Sequence, residues 1–167
     1  LTSWGTAPGN ALAALEESIA LSRRESLSAN WRGRALALAA QLRAQKGDAP
    51  GGLSALQESI TESHRTGERT AVATALDRGI QVLASTGNHE LAALLGGVVT
   101  EGVFANTYGV PAPEVPDRQR ALERLETELG ADTYAAAIER GAAMTYDEAL
   151  DSTTRALDAL LHSDVTP

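Results

Sequence analysis

Apolar residues recur along this chain at three- and four-residue steps rather than in alternation, which is the signature of amphipathic helices. Leu15 and Ile19, and again Leu56 and Ile60, lie four apart inside two related segments, Ala11-Leu12-Ala13-Ala14-Leu15-Glu16-Glu17-Ser18-Ile19 and Leu53-Ser54-Ala55-Leu56-Gln57-Glu58-Ser59-Ile60. The echo continues about 40 residues on, where Ala35-Leu36, Gln41 and Gly47-Asp48 reappear as Ala75-Leu76, Gln81 and Gly87-Asn88. A third helix start follows at Leu91-Ala92-Ala93-Leu94-Leu95. The pattern predicts helices over 10–26, 30–46, 52–66, 69–86 and 89–104. A period of this length holding two helices is how stacked helical hairpins present themselves in sequence. Gly47 and Gly87 can take the left-handed conformation that closes a helix, after which Asp48 or Asn88 can cap the next one.

Residues 105–116 place Pro111, Pro113 and Pro116 close together and cannot continue a helix, so they read as a linker. Beyond it, Asp117 caps a helix ending at Gly130, and Asp132 opens a short one that stops near Gly141. A third helix starts at Thr145 and runs to about Leu161, with Ala149, Leu150, Ala156, Leu157 and Leu160 facing inward. Thr145 and Glu148 have the spacing of a capping box, in which hydroxyl and carboxylate satisfy exposed N–H groups reciprocally. The expected organisation is an all-α fold: stacked antiparallel helical hairpins over 1–104, the linker 105–116, a C-terminal three-helix cap over 117–162 and a tail over 163–167.

Composition sharpens this picture. The 167 residues are 43% hydrophobic but only 4% aromatic. Ala and Leu, the strongest helix formers, dominate the apolar set. A net charge of −8 disfavours broad affinity for nucleic acid or anionic membrane, both of which need a surplus of Lys and Arg. The absence of cysteine removes thiolate ligands, thiol nucleophiles and disulfides, which suits a reducing compartment, and the N-terminal residues lack the pattern of a secretory signal. The chain therefore reads as cytoplasmic, with no membrane segment.

Candidate chemistry is sparse. Gly96, Gly97 and Gly102 lie near one another, but no GK[ST] follows, so the phosphate cradle of a P-loop is missing and close helix packing is the simpler role. His64, His89 and His162 do not sit four apart, and a lone histidine lacks co-ligands, so no metal or cofactor is expected. No serine occupies a GxSxG or SxxK motif. The neighbouring acids Glu16-Glu17 and Asp147-Glu148 point about 100° apart on a helix and cannot flank one bond. Arg23, Arg24, Arg32 and Arg34 form the densest basic cluster, read as a solvated face paired with Glu16, Glu17 and Glu25. Trp31 opens a helix whose apolar face includes Ala35, Leu38 and Leu42, and is expected to pack; Trp4 is expected to cover an edge of the array. These residues argue against an enzyme.

The turns Gly47-Asp48 and Gly87-Asn88-His89-Glu90-Leu91-Ala92 resemble the mid-repeat turn of tetratricopeptide repeats, although the consensus aromatic positions are missing and the period exceeds the usual length. Leu91-Ala92-Ala93-Leu94-Leu95-Gly96, Leu125 to Leu129-Gly130, and Gly141-Ala142-Ala143-Met144-Thr145-Tyr146-Asp147-Glu148-Ala149 together look like the C-terminal region of large actinobacterial regulators. These combine a signal-transduction ATPase with helical repeats and either an adenylate-cyclase or a LuxR-type DNA-binding domain. The resemblance implies a non-catalytic sensing or relay module that binds a protein, a peptide or flanking domains of its own polypeptide. It also implies that residues 10–26 form the second helix of a hairpin.

In tetratricopeptide-like arrays the groove is lined by the first helix of each hairpin. Carried over to this chain, that register gives Arg34, Gln41 and Gln45 on one helix and Thr74, Asp77 and Gln81 on the next as partner-binding residues. Two alternatives stand beside it. One is a small-molecule sensor whose effector pocket draws on Phe104, Tyr108 and Tyr134; the other is an oligomerisation or spacer element that could pair with further copies of itself.

Overall fold

The computed structural model describes residues 8–24, 29–107 and 115–163. Among them are eight α-helices and no strand, so the fold is all-α as the periodicity predicts. The helices are α1 (Pro8–Arg24), α2 (Ala29–Gln45), α3 (Ala49–Arg65), α4 (Arg69–Ser85), α5 (His89–Thr100), α6 (Val115–Leu129), α7 (Ala131–Ala142) and α8 (Tyr146–Ser163).

Three turns of one design set the register from α2 to α5. Gly47, Gly67 and Gly87 each take a positive φ, at 84°, 71° and 81°. At each turn the glycine N–H donates to the carbonyl three residues back, and the next N–H donates to the carbonyl five residues back: Asp48 to Arg43, Glu68 to Ser63, Asn88 to Leu83. This is the Schellman arrangement, and it satisfies the carbonyls that the ending helix leaves open. The residue after each glycine is also the N-cap of the next helix, its carbonyl accepting from Gly52, Val72 or Ala92. Each of these connections is thus three residues long, and successive helices, about 25 Å for α2 to α4 and about 18 Å for α5, must run antiparallel.

Several boundaries shift from expectation, and three shifts have a clear cause. α6 begins at Val115, inside the expected linker, so Asp117 lies in its first turn rather than capping it, and Pro116 sits where its missing N–H costs nothing. α3 begins at Ala49 rather than 52, because Asp48 accepts a hydrogen bond from Gly51 N–H and Pro50 lies in the first turn, where its missing N–H costs nothing. α5 ends at Thr100 rather than 104, since the N–H groups of Gly102 and Phe104 reach back to Gly97 and Val98 in a closing turn. The capping box forms as expected: Thr145 N–H and hydroxyl donate to Glu148 Oε2 at 2.9 and 2.8 Å, and Glu148 N–H donates to the Thr145 hydroxyl.

Helices α2, α4 and α6 lie side by side, with α3 packed on α2 and α4, and α5 on α4, α6 and α7. α8 folds back against α3 and α5. It runs antiparallel to α3, because Gln57 bonds to Asp158 and His64 to Tyr146. One main core runs from Ala37, Leu56 and Leu76 through Leu95 to Leu125, Leu150 and Leu157, so α6 and α8 share it with the earlier helices. A smaller cluster of Leu12, Ile19, Ala35, Leu36 and Ala39 joins α1 to α2.

The α5–α7 contact brings backbone against backbone. A Cβ placed on Gly97 would stand 2.0 Å from the Ile138 carbonyl oxygen, and one on Gly141 would stand 2.0 Å from that of Leu94. The two backbones touch reciprocally, which only glycine permits.

Candidate functional site

A cleft of about 390 Å³ opens where α2, α4 and α6 meet. Gln81, Ala84 and Ser85 of α4 form its floor, Gln41 and Gln45 of α2 one wall, and Asp117, Arg120, Ala121, Arg124, Leu125 and Glu128 of α6 the other. His89, the first residue of α5, closes one end. Gln41 and Gln81 occupy the same position in helices of equal length, and α2 and α4 run parallel, so their side chains meet: Gln41 Nε2 donates to Gln81 Oε1 at 2.6 Å. Arg78 in turn donates to Gln41 Oε1. The Gln81 amide borders the cleft, as does the exposed amide of Gln45. On the α6 wall, Arg120 pairs with Asp117 one turn back, and Arg124 is exposed one turn further on.

Of the six groove residues read from the sequence, the structure brings Gln41, Gln45 and Gln81 into this cleft. The other three lie elsewhere. Thr74 is buried and bonds to the Thr70 carbonyl of its own helix. Asp77 is only 2% exposed and accepts from Arg118 Nη1 at 3.0 Å. Burial pushes the Asp77 carboxyl up from the ordinary range, while the hydrogen bond and charge of Arg118, with Arg78 nearby, pull the other way. Arg34 is exposed but does not line the cleft. Thr74 and Asp77 are therefore seam residues between α4 and its neighbours rather than groove contacts. The α6 wall and His89 were missed by the sequence reading. The only sequence signal for that wall was a stripe on α6, Asp117, Arg120, Ala121, Arg124, Leu125 and Glu128, at three- and four-residue steps.

The aromatic alternative separates. Phe104 is buried edge-on against Tyr146, with ring centroids 5.7 Å apart, and the Arg69 guanidinium lies over both rings. Tyr134 is half-buried against the main core, and burial raises its hydroxyl pKa, helped by the charges of Glu126 and Glu101. Tyr108 lies outside the described residues. Neither Phe104 nor Tyr134 lines the α2–α4–α6 cleft.

Two arginines of the basic cluster are paired, but not with the partners expected from sequence: Arg23 meets Glu58 and Arg32 meets Glu62, while Glu16 goes to Arg43; Glu25 lies outside the described residues. Trp31, expected to pack, is 43% exposed; it sits at the first turn of α2, at an edge that no described helix covers. Trp4 lies outside the described residues. Among the described residues no group of three or more His, Asp or Glu is placed to hold a metal ion, and no helix is long and apolar enough to cross a membrane. No protein-family model, curated protein or solved structure matches the chain.

Proposed function

We propose that this chain is a non-catalytic interaction module of the tetratricopeptide-like kind, working in the cytoplasm as the sensing or relay part of a larger signal-transduction regulator, and that it takes an extended peptide segment in the α2–α4–α6 cleft. The observation that carries the reading is the cleft's lining. The Gln45 and Gln81 amides, on two parallel helices, bring to the cleft donors and acceptors of the kind a peptide main chain requires, while Gln41, bonded to Gln81 and Arg78, holds the Gln81 amide in place. Ala84 on the floor and Ala121 and Leu125 on the α6 wall give a small apolar surface, and Arg124 adds an exposed cation. Such a mixture suits orientation by hydrogen bonds with modest apolar burial, as in polar peptide grooves. A relay role fits the same geometry. The α6 wall is fastened to α4 through the buried Asp77–Arg118 pair, so a segment wedged between α2 and α6 would act directly on that seam.

The test selects binders from a random 12-residue peptide library displayed on phage and maps the best of them by amide and glutamine side-chain NMR shifts. Shifts centred on Gln45, Gln81, His89 and Arg124, with at least a tenfold loss of affinity in the Gln45→Ala, Arg124→Glu protein, are expected. Both side chains are exposed, so folding is spared. Shifts centred on another face, or affinity unchanged by the double substitution, would overturn the reading.

A further inference from the structure

The open face of α2 does not end at the cleft. Trp31, Arg34, Leu38, Gln41 and Gln45 recur at three- and four-residue steps, so they share one side of the helix. Gln41 and Gln45 line the cleft, Leu38 is half-buried, and Arg34 and Trp31 are exposed. α4 fills the matching positions differently: Ala71 and Thr74 are buried, and Arg78 is turned to the Gln41 carbonyl oxygen. The strip from Leu38 to Trp31 is therefore a feature of α2 alone. It carries the cleft's surface about 15 Å beyond Gln41 along the helix.

Charge says what this surface suits. The chain holds 22 acidic residues against 14 lysines and arginines, so carboxylates are in surplus. α2 has three arginines and no carboxylate of its own. Arg32 and Arg43 are matched by Glu62 and Glu16 on neighbouring helices, and on the cleft's far wall Arg120 is matched by Asp117. Among the described residues, Arg34 and Arg124 are the two arginines with no hydrogen bond, ion pair or ring contact. Both belong to one surface, Arg124 in the cleft and Arg34 on the strip that continues it. Guanidiniums left without a carboxylate in so acidic a chain make that surface complementary to a negatively charged occupant. Trp31 adds the other half of the chemistry, since an exposed indole gains most by being covered with an apolar group.

We propose that the occupant of the cleft is an acidic peptide segment that runs on along α2, with one carboxylate at Arg124, a second at Arg34 and an apolar side chain over Trp31. The inference rests on the cleft reading and specifies its occupant. Helix geometry sets the spacing. Arg34 lies seven residues before Gln41, about 10 Å, which an extended peptide crosses in about three residues. Trp31 lies one turn further, about 5 Å, or one to two peptide residues. The segment thus carries its apolar residue at one end, an Asp or Glu one or two residues inward, and about three residues later the stretch that bonds to the Gln45 and Gln81 amides.

The test uses the whole chain and the peptides from the phage selection that shift the Gln45 and Gln81 side-chain amides. These are expected to share an Asp or Glu with a Leu, Phe or Trp one or two residues away. Arg34→Glu should weaken them about tenfold or more and Trp31→Ala about fivefold, with melting unchanged because both side chains are exposed. When the peptide's acidic residue is replaced by lysine, the Arg34→Glu protein should bind the lysine form better than the acidic one, a reversal that damage to α2 cannot produce. In a Trp4→Phe chain, where Trp31 is the one indole left, its emission should move to the blue as peptide is added. Cleft-binding peptides without an acidic preference, or with equal affinity for the parent, Arg34→Glu and Trp31→Ala proteins, would overturn the proposal and leave the cleft reading standing. Peptides that need Arg34 and Trp31 but leave Gln45 and Gln81 unshifted would overturn both. A 12-residue oligothymidine that binds more tightly than the peptides, and loses its grip with Arg34→Glu, would assign the surface to single-stranded nucleic acid and likewise overturn the proposal.

Discussion

The helical pair α6–α7 is fastened to α4–α5 by two seams of opposite chemistry. Between α4 and α6 the join is a buried ion pair, Asp77 with Arg118, whose side chains are 3% and 17% exposed. Between α5 and α7 it is chiefly backbone, with Gly97 and Gly141 each lying against a carbonyl of the other helix and an exposed Arg140–Glu90 pair beside them. The first seam depends on charge, and its net worth is small because the desolvation of Asp77 outweighs the pull of Arg118 and Arg78. The second depends mainly on shape, gaining dispersion and Cα–H···O contacts that no larger residue allows, since its one ion pair, Arg140 with Glu90, is exposed and worth little. The seam beside the cleft is thus the electrically adjustable one, and the seam on the far side is the rigid one.

Breaking the rigid seam should cost most. Gly141→Ala puts a methyl where backbone already stands, and neither Leu94 nor its carbonyl can rotate away. We expect a loss of about 3 kcal/mol, the upper part of the usual range for overpacking. By urea denaturation, a Gly141→Ala protein as stable as the parent would show that α5 and α7 are not in backbone contact. Breaking the charged seam should cost less. Asp77→Ala leaves Arg118 without its carboxylate, but that side chain keeps some access to water, so a loss of about 2 kcal/mol is expected rather than the full cost of a sealed charge. Asp77→Ala exceeding Gly141→Ala in the same assay would reverse the ranking of the two seams.

The contrast also shows which parts of the molecule were legible beforehand. Helix positions were, because turn chemistry is local: Gly47 and Gly87 announce themselves through the Asp or Asn that follows. Gly67 makes the same Schellman turn but is followed by Glu68, whose side chain does not cap, and it passed unnoticed. The amide stripe of the cleft was legible too, since Gln41 and Gln45 share a helix face and Gln81 repeats Gln41. What could not be read was where α6 would land. Its contact with α4 joins residues about 40 apart across a proline-rich stretch, and no local pattern encodes that pairing. Asp77 therefore looked like a solvent-facing partner residue until Arg118 was found against it. Trp31 failed for a related reason: apolar spacing assigns a face to a helix but does not say whether a neighbour covers it.

The smallest expected effect separates the two seams by pH. Burial raises the Asp77 carboxyl more than Arg118 and Arg78 lower it, so the folded chain holds this proton more tightly than the unfolded one. A raised folded value means that the group's stabilising contribution is fully present below the unfolded pKa, about 4, and is lost as pH rises through the folded one. The parent should therefore gain stability relative to Asp77→Asn as pH is lowered from neutrality toward about 4. Glu148 acts in the opposite sense. Its carboxyl is held low by the Thr145 N–H and hydroxyl, and its contribution disappears as pH falls through that lowered value. Urea midpoints of the parent, Asp77→Asn, Glu148→Gln and Gly141→Ala across this range resolve the terms. The Gly141→Ala difference should stay flat, because the glycine contact itself titrates nothing and the exposed Arg140–Glu90 pair across that seam is common to both proteins. A difference between parent and Asp77→Asn that is equally flat would mean that Asp77 is not paying the cost of burial, and the α4–α6 seam would then be no more sensitive to charge than the glycine contact opposite it.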